Sequence, residues 1–179
     1  RRAHDAIDSG AFADEVVPVT FSTRKGEVTV EHDEQPGKGR PDKIPQLRPA
    51  FAKDGTITAA TSSSISDGAA AVVLSRESVA KANGQQPVAK IVAMAAHAQE
   101  PAQFTVAPIG AIEKVLDKAG WSADEVELWE VNEAFACVAM FAMRDLGIPH
   151  DKINVNGGGT ALGHPIGASG TRIIVTLLN

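Results

Sequence analysis

Six of the fourteen residues from Gly157 to Gly170 are glycine. Neither a helix nor a strand runs through so flexible a stretch, so the chain must break its regular structure there. On one side Ile153-Asn-Val-Asn156 reads as a short strand, and on the other Ile173 to Leu178 reads as an apolar helix starting near Gly167 or Ala168. The glycines therefore join a strand end to a helix start, where the backbone can approach a ligand closely. One titratable side chain, His164, lies near their middle. The positive end of the following helix disfavours an imidazolium and favours the uncharged ring, which accepts a proton or donates a hydrogen bond to an oxyanion.

Two familiar glycine motifs fail against this segment. Gly158-Gly-Thr-Ala-Leu-Gly163 has the four-residue gap of a Walker A loop, but His164 and Pro165 stand where Lys and Ser or Thr would be needed. A dinucleotide-binding fingerprint fails as well, because the Gly-x-Gly-x-x-Gly spacing does not occur. A structural turn with an incidental surface histidine is the competing reading from the loop alone.

Upstream, β-rich and helical patterns alternate. Arg1 to Phe12 reads as the tail of a helix; Val16 to Phe21 and Glu27 to Glu31 read as a hairpin turning at Ser22 to Gly26. Residues 32–56 hold Pro36, Pro41, Pro45 and Pro49 among basic side chains, which suits a loop excursion. Ala69 to Leu74 has the continuous apolar character of a buried strand, and Ser75 offers an N-cap for a short helix ending near Gly84. Val88 to Ala96 and Leu128 to Val131 are further strand candidates. Pro108 to Ala119 has helical spacing and stops at Gly120, with capping-box spacing at Ser122 and Glu125. Ala134 to Met143, apolar throughout, suits a helix enclosed by neighbouring layers and stopped by Gly147. The fold class is thus α/β, with helices packed on mixed, largely parallel sheets. Ligands in such folds gather beyond strand C-termini, where Asn132 and His164 both fall.

The 179 residues carry a net charge of −5, with a pI near 5.5, which argues against nucleic acid or an anionic membrane as main partner. A single cysteine and no apolar run of membrane-spanning length point to a reducing, cytoplasmic setting. No metal-ligand spacing occurs. A start without Met and an end at an apolar helix suggest part of a longer polypeptide.

Val131-Asn-Glu-Ala-Phe-Ala136 together with Asn156 to Arg172 resembles the paired signature of thiolases, the acetyl-CoA acetyltransferases and 3-ketoacyl-CoA thiolases. Leu47-Arg-Pro-Ala-Phe51 and Thr58 to Ala71 are similar too, and the resemblance runs along essentially the whole chain. It implies the incomplete thiolase fold, with residues 1–57 as a loop region carrying the hairpin and a coenzyme A-contacting segment, 58–86 as the last part of the N-terminal half, and 87–179 as a truncated C-terminal half. It further implies an acyltransferase of fatty acid metabolism that condenses two acetyl-CoA molecules or thiolyses a 3-ketoacyl-CoA. His164 would activate a cysteine nucleophile and hold the thioester oxygen, and Asn132 would fix a water completing the oxyanion hole. Ser63, with Ala59 nearby, would meet the pantetheine arm, Leu47 the adenine and pantetheine groove, and Arg40 or Lys43 the phosphates. Phe104 and Phe135 would border the acyl pocket. The implied partners are acetyl-CoA, acetoacetyl-CoA and free CoA, with no cofactor beyond the thioester substrate, in a homodimer or homotetramer of the complete enzyme.

The chain departs from that pattern in its thiols. Thiolases of this type use a nucleophilic cysteine in the first part of the polypeptide and a second in a Cys-x-Gly motif near the C-terminus, and neither occurs among these residues. Cys137 follows Asn132 by five positions in an apolar helix, where a packed, protonated thiol is expected. His4, His32, His97 and His150 are expected to be solvated or locally hydrogen-bonded. The alternative to an enzyme is a non-catalytic module that binds acyl-CoA or lipid on the same fold.

Overall fold

Seven α-helices, one hairpin and several 3-10 turns make up the computed structural model, which describes all of residues 1–179. The helices are α1 (Arg2–Ser9), α2 (Glu34–Lys38), α3 (Glu77–Ala82), α4 (Ala107–Ala119), α5 (Ala136–Leu146), α6 (Gly159–Leu162) and α7 (Ser169–Leu178). Strands β1 (Val19–Thr23) and β2 (Gly26–Val30) pair antiparallel around the two-residue turn Arg24-Lys25. The hairpin falls where the pattern predicts it, but its first strand begins at Val19, after Pro18. Residues 32–56 are an excursion, as expected, stiffened by α2 and by a 3-10 turn over Pro41–Gln46.

Local chemistry explains the helices closest to the site. Pro108 sits in the first turn of α4, where its missing N–H costs nothing, and Gly120 ends the helix at φ 70°. Gly147 ends α5 in the same left-handed conformation, φ 67°. Ser122 and Glu125 form the expected capping box, with the Glu125 carboxylate accepting from the Ser122 N–H at 2.7 Å. Ser75 does not cap α3: the helix starts two residues later, and the Ser75 hydroxyl donates to the Arg76 carbonyl.

The core lies in two patches. Val131, Val138, Ala139, Ala142, Ile148 and Ile153 are buried together, with Ile112 of α4 and Phe135 packed against them. Ala3, Ala6, Phe12 and Leu162 form the second patch, between α1 and α6. One face of α5 packs inward, but Met140 on the other is 60% exposed, so this helix is not enclosed as its uniform sequence predicts.

The expected strands at Ala69–Leu74 and Val88–Ala96 are not part of any sheet. A strand needs a hydrogen-bonding neighbour, and no segment of these 179 residues takes that place. Val73 and Leu74 consequently stand exposed, as do Val88 and Met94. With its mass of 18.7 kDa, the chain leaves 12678 Å² accessible, against roughly 8300 Å² for a compact monomer of that size. Leu128–Val131 and Ile153–Asn156 do run side by side in parallel, but only through one bridge, Trp129 to Ile153. The parallel character of the α/β fold survives in that bridge and in a second, Ile65 to His164.

Candidate active site

Three strips of backbone converge on the site. The serine-rich segment 58–66 pairs at Ser62 with Phe135 and at Ile65 with His164, so it ties the strip that follows Val131 to the strip that follows the glycines. The Ala136 N–H donates to the Thr61 carbonyl at 2.9 Å, and the His164 N–H donates to the Ser64 carbonyl at 2.9 Å. Asn132 and His164, distant in sequence, are thereby brought face to face. The Asn132 Nδ2 lies 3.3 Å from the His164 Nε2. Both residues are half-buried. On the far side of the ring, His164 Nδ1 is 2.6 Å from the hydroxyl of Ser169, the first residue of α7. That helix begins one or two residues after the expected position, with the ring close to its N-terminus.

A buried polar network holds the glycine loop against the Asn132 strip. Asn154, at φ 46° and 3% exposed, accepts from the Val131 N–H at 2.8 Å and donates to the Val131 carbonyl at 2.9 Å. Its amide also donates to Glu133 at 2.7 Å. The second oxygen of Glu133 accepts from the Thr160 hydroxyl at 2.5 Å and from the Thr160 N–H at 3.3 Å. Here glycine is a packing requirement: a Cβ at Gly158 would lie within 2.5 Å of Glu133 Oε2, and one at Gly159 would be 3.0 Å from the Glu133 carbonyl oxygen. Sequence reasoning missed Glu133, Asn154 and Ser169 as supports. Their polar side chains sit inside the two motifs, but their partners become visible only once the loop is folded.

Next to Asn132 an apolar cavity of about 370 Å³ opens between α4 and α5, lined by Phe104, Ile112, Ala134 and Val138 with Glu130 at its wall. Burial pushes the Glu130 carboxyl up to about 7, with Glu133 and Glu15 adding repulsion and Arg172 opposing. Burial also raises Glu15, against the hydrogen bond from Thr176 and the charge of Arg172. Phe135 packs edge-on against Phe51 at 6.0 Å and tilted against Phe104 at 5.8 Å between ring centres, so the two expected pocket aromatics are neighbours.

No side-chain hydrogen bond joins the remaining candidates to the pair. Ser63 donates its hydroxyl proton to the Ala134 carbonyl at 2.9 Å, and its N–H donates to the same oxygen at 3.1 Å. Ala59 is exposed in the turn just before it. Arg40, Lys43 and Leu47 are exposed on and around the Pro41–Gln46 turn, and no hydrogen bond or ion pair joins them to His164 or Asn132. Cys137 is half-buried in the first turn of α5. Because α5 starts at Ala136, Asn132 precedes the helix and shares no helical face with that thiol. Of the other histidines, His97 contacts Lys114 at 3.0 Å and Gln99 at 3.0 Å, and His150 meets Arg2 at 3.2 Å. His4 and His32 are exposed. No group of three His, Cys, Asp or Glu side chains has the geometry to hold a metal ion, and no helix is long and apolar enough to cross a membrane.

Comparison with known proteins supplies the family. The thiolase N-terminal domain model matches residues 1–78, and the thiolase C-terminal domain model matches residues 85–179. An acetyl-CoA acetyltransferase of Yarrowia lipolytica is 51% identical over 179 residues, all of this chain and 45% of the relative's length. The crystal structure of the Bacillus anthracis acetyl-CoA acetyltransferase superposes with a TM-score of 0.94 at 42% identity, over 99% of this chain and 45% of that one. A thiolase of Ascaris suum in complex with coenzyme A superposes with a TM-score of 0.89 at 38% identity, over 99% of this chain and 46% of that one. The chain thus spans a little under half the length of the relatives it matches. By its two domain models, its identity to these enzymes and its superposition on their structures, the chain belongs to the thiolase family.

Proposed function

We propose that this chain carries the acid–base and oxyanion-stabilising side of an acetyl-CoA C-acetyltransferase site, which condenses two acetyl-CoA molecules to acetoacetyl-CoA or runs the reverse thiolysis. The observation that supports this reading is the 3.3 Å approach of Asn132 Nδ2 to His164 Nε2 at the edge of an apolar cavity. Carbon–carbon bond formation next to a thioester passes through an enolate, whose charge requires donors already in position. His164 takes the proton of the nucleophilic thiol and then offers an N–H to the thioester oxygen, and Asn132 contributes to the same hole through a bound water. The thiol itself is outside this chain. Cys137 does not serve, lying half-buried in α5.

Substrate contacts follow the same reading. The Ser63 hydroxyl, having given its proton to the Ala134 carbonyl, is left as an acceptor and suits an amide N–H of the pantetheine arm. Ala59 and Leu47 border the arm and the adenine, exposed Arg40 and Lys43 meet the phosphates, and Phe104 with Phe135 walls the acyl group. Coenzyme A thioesters are then the substrates and no further cofactor is needed. A cytoplasmic setting, a homodimer or homotetramer, and a division at residues 57/58 and 86/87 complete the proposal. The non-catalytic binding alternative has no supporting observation.

The test uses the polypeptide as its gene encodes it. Acylation of its cysteine by acetyl-CoA and thiolysis of acetoacetyl-CoA are measured for the parent, His164→Ala and Asn132→Ala. Loss of both half-reactions in His164→Ala is expected. Parent-like acylation in that variant refutes the assignment of His164 as base.

A further inference from the structure

The strongest unassigned feature is the far side of the His164 ring. Ser169 is 2% exposed, and its hydroxyl oxygen lies 2.6 Å from His164 Nδ1 and 3.0 Å from the Pro165 carbonyl oxygen. We propose that Ser169 is a positioning residue that holds His164 with its proton on Nδ1, leaving Nε2 bare and aimed at Asn132. This deepens the functional reading above and rests on it for its chemical consequence, though the hydrogen-bond geometry stands without it.

The direction of each hydrogen bond follows from what each atom is able to do. A carbonyl oxygen only accepts, so the contact with Pro165 takes the Ser169 hydroxyl proton. The oxygen's lone pair then faces Nδ1, and a stable contact at 2.6 Å requires a proton on that nitrogen. From the opposite side, the Asn132 amide nitrogen only donates, and its place 3.3 Å from Nε2 fits a lone pair there. The Ser169 contact thus selects the tautomer, and the Asn132 contact on a different element agrees with it. The donors form one chain, from Asn132 through the imidazole and Ser169 to Pro165. The Ser64 carbonyl fixes the histidine backbone at the same time, by accepting its N–H at 2.9 Å. The ring is held at its backbone and at both nitrogens.

The consequence for the reaction is which nitrogen acts as base. The thiol proton goes to Nε2, leaving a thiolate and an imidazolium whose Nδ1–H still rests on Ser169. The new Nε2–H is then the group offered to the thioester oxygen. Without the Ser169 hydroxyl, the two tautomers become closer in energy and a fraction of the rings presents Nε2–H at the outset, which cannot accept the thiol proton.

The decisive measurement is the imidazole ¹⁵N spectrum of His164 in the uniformly labelled 179-residue chain, above the pH at which the ring is charged. The expected spectrum shows a protonated Nδ1 and a bare Nε2. Ser169→Ala should shift His164 toward a tautomer mixture, and Ser169→Thr, which keeps the hydroxyl, should restore the parent pattern. A parent spectrum showing Nε2–H overturns the proposal, as does an unchanged tautomer in Ser169→Ala. The parent spectrum decides even if the alanine variant does not fold. A second arm uses the gene-encoded polypeptide: Ser169→Ala should slow cysteine acylation by roughly 10- to 100-fold, short of the loss of the whole general base, with KM for acetyl-CoA little changed and the rate restored by Ser169→Thr. A shifted tautomer with unslowed acylation leaves the positioning role standing and refutes the reading of His164 as base.

Discussion

Gly158→Ala tests whether the glycine loop is held by the Glu133 carboxylate. The new Cβ would lie within 2.5 Å of Glu133 Oε2 and in equally close contact with the rest of the carboxyl group. A free glutamate tip would swing aside at small cost, but this one accepts from the Asn154 amide at 2.7 Å and from the Thr160 hydroxyl at 2.5 Å. Nor has the loop room to retreat: a Cβ on Gly157, at φ 92°, would already meet Ala3 at 2.8 Å, and Gly159 approaches the Glu133 carbonyl oxygen. Losing two charge-assisted hydrogen bonds at about 1.5 kcal/mol each gives a destabilisation of about 3 kcal/mol. With a urea m-value of about 2 kcal/mol per molar, the unfolding midpoint of the full chain should drop by about 1.5 M at unchanged m. Gly167→Ala, whose Cβ meets nothing within 4 Å, is the control and should stay within about 0.5 kcal/mol of the parent. In a Glu133→Ala background the three atoms nearest the added methyl are gone, so Gly158→Ala should then cost under about 1 kcal/mol, a coupling of about 2 kcal/mol. A loss below about 0.5 kcal/mol in the parent background, or the absence of coupling, refutes the claim that this carboxylate clamps the loop.

Glu130, held near 7 by burial, keeps its proton in the folded chain over a range where the unfolded chain has released it. Stability therefore falls as pH rises from the ordinary carboxylate range through about 7. The full shift corresponds to about 3 kcal/mol, and about 1 to 2 kcal/mol after solvent screening of a partly exposed group. Glu130→Gln should flatten this slope in urea titrations at pH 5 and pH 8, and an equally steep decline in the variant refutes it. Ile153→Ala removes the largest side chain buried to 1% exposure and should cost about 3 kcal/mol in the same assay; less than about 1 kcal/mol would show that this patch is not a packed core. Asn132→Ala in the gene-encoded polypeptide should slow condensation by a factor on the order of 100 while sparing acylation more, and equal losses in the two half-reactions count against an enolate-stabilising role.

The helices near the site were legible because their signals are local. Pro108 with Gly120, Ser122 with Glu125, and Gly147 each act within a few residues, so nothing distant overrides them. The pairing of Asn132 with His164 was legible from two motifs but not from periodicity, since it depends on segment 58–66 bridging to both sides. The segments Ala69–Leu74 and Val88–Ala96 depart from their strand pattern for the opposite reason. Apolar composition encodes the wish for a sheet interior, whereas a ladder also needs a neighbour that no residue here supplies. Residues 91–99 keep a trace of the preference, because Ala93, Ala95, His97 and Gln99 turn inward between more exposed neighbours.

Glu133 and Asn154 carry the argument from packing to chemistry. Asn132 is useful only if its amide faces the imidazole, and the residue on either side of it is pinned: Val131 by both atoms of the Asn154 amide, Glu133 by Asn154 and Thr160. Through Thr160 the same contacts fix α6, which leads directly into Gly163 and His164. One buried asparagine and one carboxylate therefore fasten the two halves of the site to each other through side chains, alongside the backbone bridges of segment 58–66. A shift of about 1 Å in either strip would break the 3.3 Å contact between Nδ2 and Nε2, a displacement large enough to cost on the order of 100-fold in rate. Substitutions at Asn154 or Thr160, neither of which is proposed to touch the substrate, should consequently lower kcat more than they alter KM, and a purely KM effect would refute the coupling.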